Sequence, residues 1–506
     1  MKKRIVLTTL NARYSHASIA LRYLHANLGE LKDDAIIREF VINENVQSIA
    51  EQILENEPEI VGIGVYIWNA SDVSELIAVI KKVAPGTAVV LGGPEASHMP
   101  FRVDLDAADY VIQGEGEIAF YELCRDLFEG RHPEQRIIRA PIVDLQQIVL
   151  PYGLYDDHDV ANRYIYVESS RGCPFLCEFC LSAVDEKVRY FPIETLLDAF
   201  ETLWQRGVRT FKFIDRTFNL NIKFANALMD FFLSKEPPYF AHFEVIPDHF
   251  PDSIKERIAQ FPPGSLQLEV GIQTLNPDIA DTINRPLKLE KIRRNLEFLE
   301  NETSAHMHLD LIVGLPGETL ASFGESLDAL CAISRSEIQI GILKKLSGTT
   351  MSRHDALHGM VYSDTPPYDV LRTEKVSFKD IQRMKRFARF WDITYNSGNF
   401  NRSVRLLWPD GSVFEHFLAF SDWVYLQTAS TYKIALERMA QLLFTYLTDV
   451  LHVDEQTAGR ALAEDLSMLK GRKIPAYLRP YLPEEKTERT HQAAAHSKRQ
   501  AKHLDT

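Results

Sequence analysis

Tyr164-Ile165-Tyr166-Val167-Glu168-Ser169-Ser170-Arg171-Gly172-Cys173-Pro174-Phe175-Leu176-Cys177-Glu178-Phe179-Cys180 is the stretch from which the rest of the chain can be read. It opens on Tyr164–Glu168, a β-branched and aromatic run that predicts a strand. An Arg-Gly pair follows, and then three cysteines spaced by three and two residues. Thiolates are the usual ligands of iron–sulfur clusters, and these spacings let one loop wrap three irons of a cubane. No fourth cysteine stands nearby, so a fourth iron would be left open, and an open metal position is where substrate chemistry occurs. The rival reading is a zinc loop, which needs a fourth ligand, usually from a second pair; none sits at a fitting spacing.

Downstream, the strand at Tyr164–Glu168 begins an α/β series. Strands are expected at Thr210–Ile214, Phe240–Ile246, Leu266–Ile272, His306–Val313 and Glu337–Leu343, with helical stretches between them. Six strand–helix units are too few for an eight-fold barrel and suit a partial (β/α)6 barrel, open on one side. Two strands show how the faces point. Leu266, Leu268, Val270 and Ile272 share one face, with Gln267, Glu269, Gly271 and Gln273 opposite. Met307, Leu309, Leu311 and Val313 likewise oppose His306, His308 and Asp310. A barrel filled only by core would be apolar on both faces, so a polar lumen implies a bound ligand. His306, His308 and Asp310 could form a metal site, with ligand contact or plain lumen polarity as the alternatives.

Upstream, residues 1–135 alternate strands and helices, with strands expected at Arg4–Leu10, Ile36–Ile42, Ile60–Ile67, Ala88–Leu91 and Tyr110–Ile112. The pattern predicts a doubly wound, Rossmann- or flavodoxin-like α/β domain. Ligands of such sheets bind beyond the carboxyl ends of the strands. Those ends carry Asn11–Ser18, Tyr66–Ser71, Gly92-Gly93-Pro94 and Gly114-Glu115-Gly116-Glu117. Met1-Lys2-Lys3-Arg4 faintly resembles the start of a signal peptide, but the apolar run ends at Leu10 and meets Asn11 and Arg13, which suits a first strand instead.

The 506 residues, 45% hydrophobic and 25% charged, suit a soluble multidomain protein. A net charge of −14 argues against a broad grip on nucleic acid, though not against a local basic groove. No apolar run reaches membrane-spanning length. Five cysteines, three of them in one tight trio, do not suit a disulfide framework; a reducing, cytoplasmic setting and a metal centre fit better. Cys124 and Cys331, beside leucines at helical spacing, read as core thiols.

The cysteine trio behind a first strand resembles the radical S-adenosylmethionine superfamily, over roughly Tyr164 to Leu346. The resemblance implies a [4Fe–4S] cluster on Cys173, Cys177 and Cys180, with S-adenosylmethionine on the open iron and cleaved by one electron to a 5′-deoxyadenosyl radical. Phe179, two places after the second cysteine, fits the same pattern. Phe213–Phe218, with Asp215, resembles the family's second strand and the acidic turn after it. Leu268–Thr274, with Glu269 and Gln273, resembles the fourth strand, where polar groups meet the cofactor. Asp310–Glu318, with Asp310 and Gly314, resembles the glycine motif beside adenine. Leu346-Ser347-Gly348-Thr349 stands where the family often has Pro-Gly-Thr.

The first domain resembles the cobalamin-binding domain that often precedes this barrel, on Val89–Glu95 and Tyr110–Glu117. The resemblance implies cobalamin contacts from Tyr14, His16, Tyr66, Gly92, Gly93, Glu95, Gly114 and Glu115. Glycines after a strand let a nucleotide tail approach the backbone, and they also simply make tight turns. The Asp-x-His-x-x-Gly of methionine-synthase-type domains is absent, so histidine ligation by His16 competes with a surface or capping role.

The expected layout is therefore a cobalamin-binding domain (1–135), a linker (136–162), the partial barrel (163–350), a mainly helical C-terminal domain (351–483) and a disordered tail (484–506). In the last domain, basic residues from Arg372 to Arg389 interleave with Phe378, Phe387, Phe390 and Trp391. Such a mixture can track a nucleic acid strand. Helical spacing of Met384, Phe387, Phe390 and Trp391 favours a core stripe with solvated charges. The resemblance implies methylation of an unactivated carbon through methylcobalamin, on a small molecule, a peptide or a modified tRNA base, with flavodoxin or ferredoxin as electron donor. A non-methylating radical reaction (cyclisation, rearrangement or reduction) and a non-catalytic cobalamin-binding or sensing protein are the alternatives.

Overall fold

A computed structural model of the chain describes residues 3–469 and 473–482. The stretch 484–506, expected to be disordered, lies outside the described residues. The chain divides into two compact units. One runs to Arg216 and includes Lys344–Ser352 and Tyr362–Asp369; the other holds Thr217–Leu343, Arg353–Val361 and the described residues from Val370 on.

The first unit is built on a six-stranded parallel sheet of β1 (Ile5–Asn11), β2 (Ala35–Val41), β3 (Ile60–Gly64), β4 (Ala88–Gly92), β5 (Tyr110–Gln113) and β6 (Ile137–Arg139), in the order β2-β1-β3-β4-β5-β6. Side chains alternate across it. Val6, Val61, Ile63, Val89 and Leu91 pack on helices Val46–Leu54 and Ala70–Val83, while Ile5, Leu7, Ile60, Val90 and Ile112 pack on Ile19–Ala26 and Gly116–Phe128. Apolar faces on both sides of each strand explain why β1 and β3 read as continuous apolar runs. The chain order reverses between β1 and β3, which makes the carboxyl ends of those strands the switch point.

Two differences from the sequence reading concern the connection after this sheet. The 136–162 segment, expected to be a linker, contains β6, which pairs in parallel with β5, and the helix Asp157–Asn162. Three residues between prolines carry too little periodicity to read as a strand. The expected boundary near 163 does not separate compact units either. β7 (Ile165–Val167), the short antiparallel pair β8 (Ser170–Arg171) and β9 (Arg189–Tyr190), and β10 (Thr210–Phe213), which pairs in parallel with β7, fall in the same compact unit as the first sheet without pairing with its strands. The reason is electrostatic and local: Arg171 and Arg189 form ion pairs with Glu115 and Glu117, and the Tyr166 hydroxyl lies 2.6 Å from His16 Nδ1.

The second unit carries β11 (Phe240–Val245), β12 (Leu266–Gln273), β13 (His306–Val313) and β14 (Glu337–Ile342), adjacent in that order and all parallel. Each strand expected of the second series is therefore present across the two units. Buried and half-buried residues alternate strictly along β12 and β13, with the apolar set buried. Beyond β14 the chain is mainly helical, with Phe378–Thr394, Val413–Thr428, Leu436–Thr445 and Glu455–Ser467. Met384, Phe387, Phe390 and Trp391 are fully buried, and the Trp391 indole donates to the Ile338 carbonyl at 3.0 Å. The aromatic stripe is thus core, as its spacing predicts. Among the described residues no helix is long and apolar enough to cross a membrane.

Gly93 shows how tightly the carboxyl ends of the first sheet pack. Its φ is +100°, and a Cβ there would stand 2.6 Å from the Val65 carbonyl oxygen. Gly93→Ala should therefore cost about 1–3 kcal/mol, from left-handed strain and displaced backbone. Gly86→Ala, with nothing within 4 Å, should not. Thermal unfolding of the two variants checks this contrast.

Candidate functional site

In the first unit, the cysteine loop leaves β7 through a neck with no spare room. Asp215, buried after β10, accepts from the Ser169 amide at 2.9 Å and from the Ser169 and Ser170 hydroxyls at 2.6 Å each. Burial pushes this carboxyl up, against the four hydrogen bonds from Ser169 and Ser170 that favour its charge. Gly172 comes next with φ +92°, and a Cβ would stand 2.5 Å from the Lys187 carbonyl oxygen. The Cys173 amide then donates to the Asp185 carbonyl at 2.8 Å, and the Cys180 amide to the Cys177 carbonyl at 3.0 Å. Cys173 and Cys177 are buried, and Cys180 is half-exposed. Among the described residues no three His, Cys, Asp or Glu side chains converge as ligands of a single metal ion. The loop carries three cysteines within eight residues, the residue type and number that a cluster left open at one iron needs.

The switch point of the first sheet lies in the same unit. Asn69 is buried there and donates to Thr9 Oγ1, the Leu10 carbonyl and the Gly64 carbonyl, each at 3.1 Å. Its side chain thereby ties the end of β1 to the end of β3. Tyr66 and Trp68 stack at 4.6 Å between ring centroids, with planes 4° apart. The Trp68 indole donates to the Leu10 carbonyl at 3.0 Å, yet Trp68 is 45% exposed and Tyr14 51%. Exposed flat aromatics at a switch point offer a surface to a flat ligand. Tyr14 is held by a hydrogen bond to His158 and by the Arg163 guanidinium over its ring. Burial, followed by the charges of Lys212 and Arg13, holds His16 below the ordinary imidazole range.

The second unit holds the polar strand face. Glu244 stands beside Glu269 in register, and Gly271 beside Asp310. Glu269 Oε2 lies 3.0 Å from His242 Nε2. Burial, then the carboxylates of Glu269 and Glu244, push Asp310 well above the ordinary range, with Arg285 opposing. β12 bulges at Gly271–Gln273, where Gln273 adopts φ +70° and the Gly271 carbonyl accepts from Arg285. His306 Nε2 lies 3.4 Å from Glu337 Oε1 on the adjacent strand, within the polar face rather than in a metal site.

Three segments of the chain match known protein families. Residues 5–124 match the B12 binding domain, 167–330 the radical SAM superfamily, and 356–506 a domain described as a protein of unknown function (DUF4080). The chain combines a B12-binding domain with a radical S-adenosylmethionine domain. The chain is 25% identical over 331 residues to 2-(S-pantetheinyl)-carbapenam-3-carboxylate methyltransferase of Streptantibioticus cattleyicolor, covering 58% of the chain and 47% of that relative. It spans about half the length of the curated relatives it matches. Its fold is similar to the methyltransferase TsrM from Kitasatospora setae with cobalamin and [4Fe-4S] cluster bound (TM-score 0.58, 18% identity, 72% of this chain and 78% of that one). It is also similar to the cobalamin-dependent radical enzyme OxsB with aqua-cobalamin bound (TM-score 0.62, 13% identity, 92% and 84%).

The structure brings Tyr14, His16 and Tyr66 to the carboxyl ends of β1 and β3, while several other residues named from sequence are engaged internally. Gly92 and Gly93 border the Val65 backbone. Glu95 is buried and accepts from the Tyr368 hydroxyl at 3.0 Å. Gly114, at φ +96°, lies against the Ala140 carbonyl, and Glu115 pairs with Arg189. Asp215 holds the neck of the cysteine loop, and Phe179 is half-buried within the loop itself. At Gly314 a Cβ would stand 2.7 Å from Val370, and at Gly348 it would collide with the His98 ring. Sequence reading missed Ser169, Ser170, Arg189 and Trp68; only Trp68 had a signal, as an aromatic at a strand end.

Glu318, after the glycine motif, is buried, and its Oε1 accepts from Thr274 at 2.8 Å. Burial raises its pKa to about 8, against the Thr274 hydrogen bond. The folded state then holds a proton that the unfolded chain releases near pH 4.5, so stability falls as pH rises from about 4.5 to 8. Glu318→Gln should remove up to about 1.4 kcal/mol per pH unit of that slope, read from denaturant unfolding across this range.

Proposed function

We propose that this chain is a cobalamin-dependent radical S-adenosylmethionine enzyme that methylates an unactivated carbon. The observation that carries the reading is the loop of three cysteines, locked at Gly172 and Asp215, in one compact unit with a switch-point sheet that presents exposed aromatics. The domain pair and the names of the relatives, several of them methyltransferases, support the methyl-transfer step. When bound, the cluster supplies the electron that cleaves S-adenosylmethionine, and cobalamin supplies a carrier for the methyl group.

The chain's own residues bind, orient and exclude. Cys173, Cys177 and Cys180 would hold three irons of the cluster, and Phe179 packs within their loop. Asp215, through Ser169 and Ser170, sets where the loop begins. Tyr14, His16 and Tyr66, with Trp68, stand at the ends of β1 and β3, where they would hold the cobalamin. Glu269, Gln273 and Asp310 present acceptors and donors to S-adenosylmethionine, and Gly314 lets the strand end pack without a side chain. The carboxyl groups of Glu244, Glu269 and Asp310 on adjacent strands suit a ligand bearing positive charge or hydrogen-bond donors. A small flavoprotein or ferredoxin is the fitting electron donor, and a reducing cytoplasm suits a chain with five cysteines, three of them in one tight trio.

The test is anaerobic reconstitution with iron, sulfide and hydroxocobalamin, followed by dithionite and S-adenosylmethionine. Bound cobalamin together with 5′-deoxyadenosine and S-adenosylhomocysteine supports the reading. Deoxyadenosine without bound cobalamin leaves a radical enzyme and removes the methyl transfer. Replacing Cys173, Cys177 and Cys180 with Ala should abolish cluster absorption and all cleavage; retained cleavage would sink the proposal.

A further inference from the structure

The turn Gly114-Glu115-Gly116-Glu117 reads in sequence as a place where a cofactor tail meets backbone. In the structure both of its carboxylates face the base of the cysteine loop. Glu117 Oε1 lies 2.7 Å from Arg171 Nη2, and Glu115 Oε1 lies 2.6 Å from Arg189 Nη2. A weaker approach of 3.6 Å joins Arg171 Nη1 to Glu115. Arg171 immediately precedes Gly172-Cys173, and Arg189 closes the loop; their backbones pair antiparallel as β8 and β9. Residues 172–188 are thus a loop tied at its base by two arginines, each gripped from the end of β5.

The grip is tight for charged groups. The side chains of Arg171 and Arg189 are only 14% and 16% exposed, so salt screens these pairs little. Arg171 also lies over the rings of Tyr23 and Phe191, which fixes the plane of its guanidinium. Burial opposes the charge on Glu115. Its bonds to Arg189 and the Val143 amide, and the charges of Arg171 and Arg189, outweigh that and hold its carboxyl below the ordinary range. Each arginine keeps a partner of its own: Glu168 for Arg171 at 2.8 Å, and Asp185 for Arg189 at 2.7 Å. Removing the carboxylates of the turn would therefore loosen the neck without stripping either guanidinium bare.

We propose that Glu115 and Glu117 are positioning residues for the cysteine loop, fixing through Arg171 and Arg189 the neck from which Cys173, Cys177 and Cys180 project. The identity of the group on those cysteines rests on the proposed function; the clamp itself does not. Arg171 makes two close charged contacts, with Glu117 and Glu168, and a weaker one with Glu115 through one planar fork, a geometry a lysine ammonium cannot reproduce.

The experiment compares the full-length wild type with Glu115→Gln/Glu117→Gln and with Arg171→Lys. The first readout is hydrogen–deuterium exchange of the 172–188 segment in protein free of iron and cobalamin. Iron bound per chain after reconstitution, the EPR g values of the reduced cluster, and hydroxocobalamin affinity complete the set. In the double variant the loop should exchange roughly threefold faster or more, as expected of a local opening made easier. Iron retention should fall and the g values move, with cobalamin affinity held within about twofold, and Arg171→Lys should change in the same direction. Unchanged loop exchange and iron, with hydroxocobalamin binding weakened roughly tenfold, would overturn the clamp and return the turn to the cofactor tail. Unchanged values throughout would also overturn it. Should the double variant fail to fold, Glu115→Asp and Glu117→Asp, one methylene shorter, carry the same comparison. A wild type that takes up no iron would defeat the proposed function, while the exchange data would still decide the clamp.

Discussion

One buried carboxylate fixes where the cysteine loop begins. Asp215 sits at the end of β10, and its two oxygens accept from one amide and two hydroxyls of Ser169 and Ser170, at the end of β7. A carboxylate in such a place is costly to bury, and its cost is offset only while those donors stay in position. The interaction therefore works in both directions. It keeps the parallel pair β7–β10 in register at its carboxyl end, and it aims the chain into Gly172. A leading strand that ended a residue earlier or later would carry all three sulfurs with it.

Beyond the neck, a lack of space determines the path of the chain. Gly172 has its φ in the left-handed region and the Lys187 carbonyl where a side chain would go. The chain must turn there, and the returning segment must come close enough for Asp185 to accept from the Cys173 amide. The same logic governs the switch point of the first sheet. There Asn69 uses one amide group to bind Thr9, Leu10 and Gly64 together, and Gly93 admits the Val65 backbone. Both loop systems stand at carboxyl ends of parallel strands, where unpaired backbone groups and helix starts make ligand binding natural. Rigid, side-chain-bound strand ends give such loops the fixed geometry that positioning a cofactor requires.

The features that depend on periodicity were legible in the sequence. Alternation along Leu266–Gln273 and His306–Val313 gave the faces of β12 and β13, and helical spacing assigned Phe387, Phe390 and Trp391 to the core. The cysteine spacing was legible because three thiols in eight residues have few uses. What could not be read was the partner of a glycine or of a glutamate. Gly93, Gly114 and Gly314 look alike whether the close neighbour is a ligand or the protein itself, and here each meets the protein: Val65, Ala140 and Val370. Glu95 and Glu115 stand in glycine-rich turns that resemble a cofactor cradle, yet their carboxylates bind Tyr368 and Arg189. These contacts join residues dozens to hundreds of positions apart, and local pattern carries no trace of them. The strand β6 escaped for a different reason: at three residues it is too short for its alternation to stand out.

The polar face of the second unit shows why such a surface points to a ligand. Glu244, Glu269 and Asp310 lie on adjacent strands, with His242 bound to Glu269 and Arg285 the cation that lowers Asp310. Like charges brought this close raise one another, which is why burial and its neighbours push Asp310 up. Folding alone gains nothing from that repulsion, since an apolar residue at position 310 would pack at lower cost. The opposite face of the same strands is uniformly apolar and buried, so it supplies the stability that lets the polar face be shaped by other demands. A ligand with positive charge or several donors would relieve the crowding as it binds. The strands that carry these carboxylates are held in place from behind by their buried apolar face.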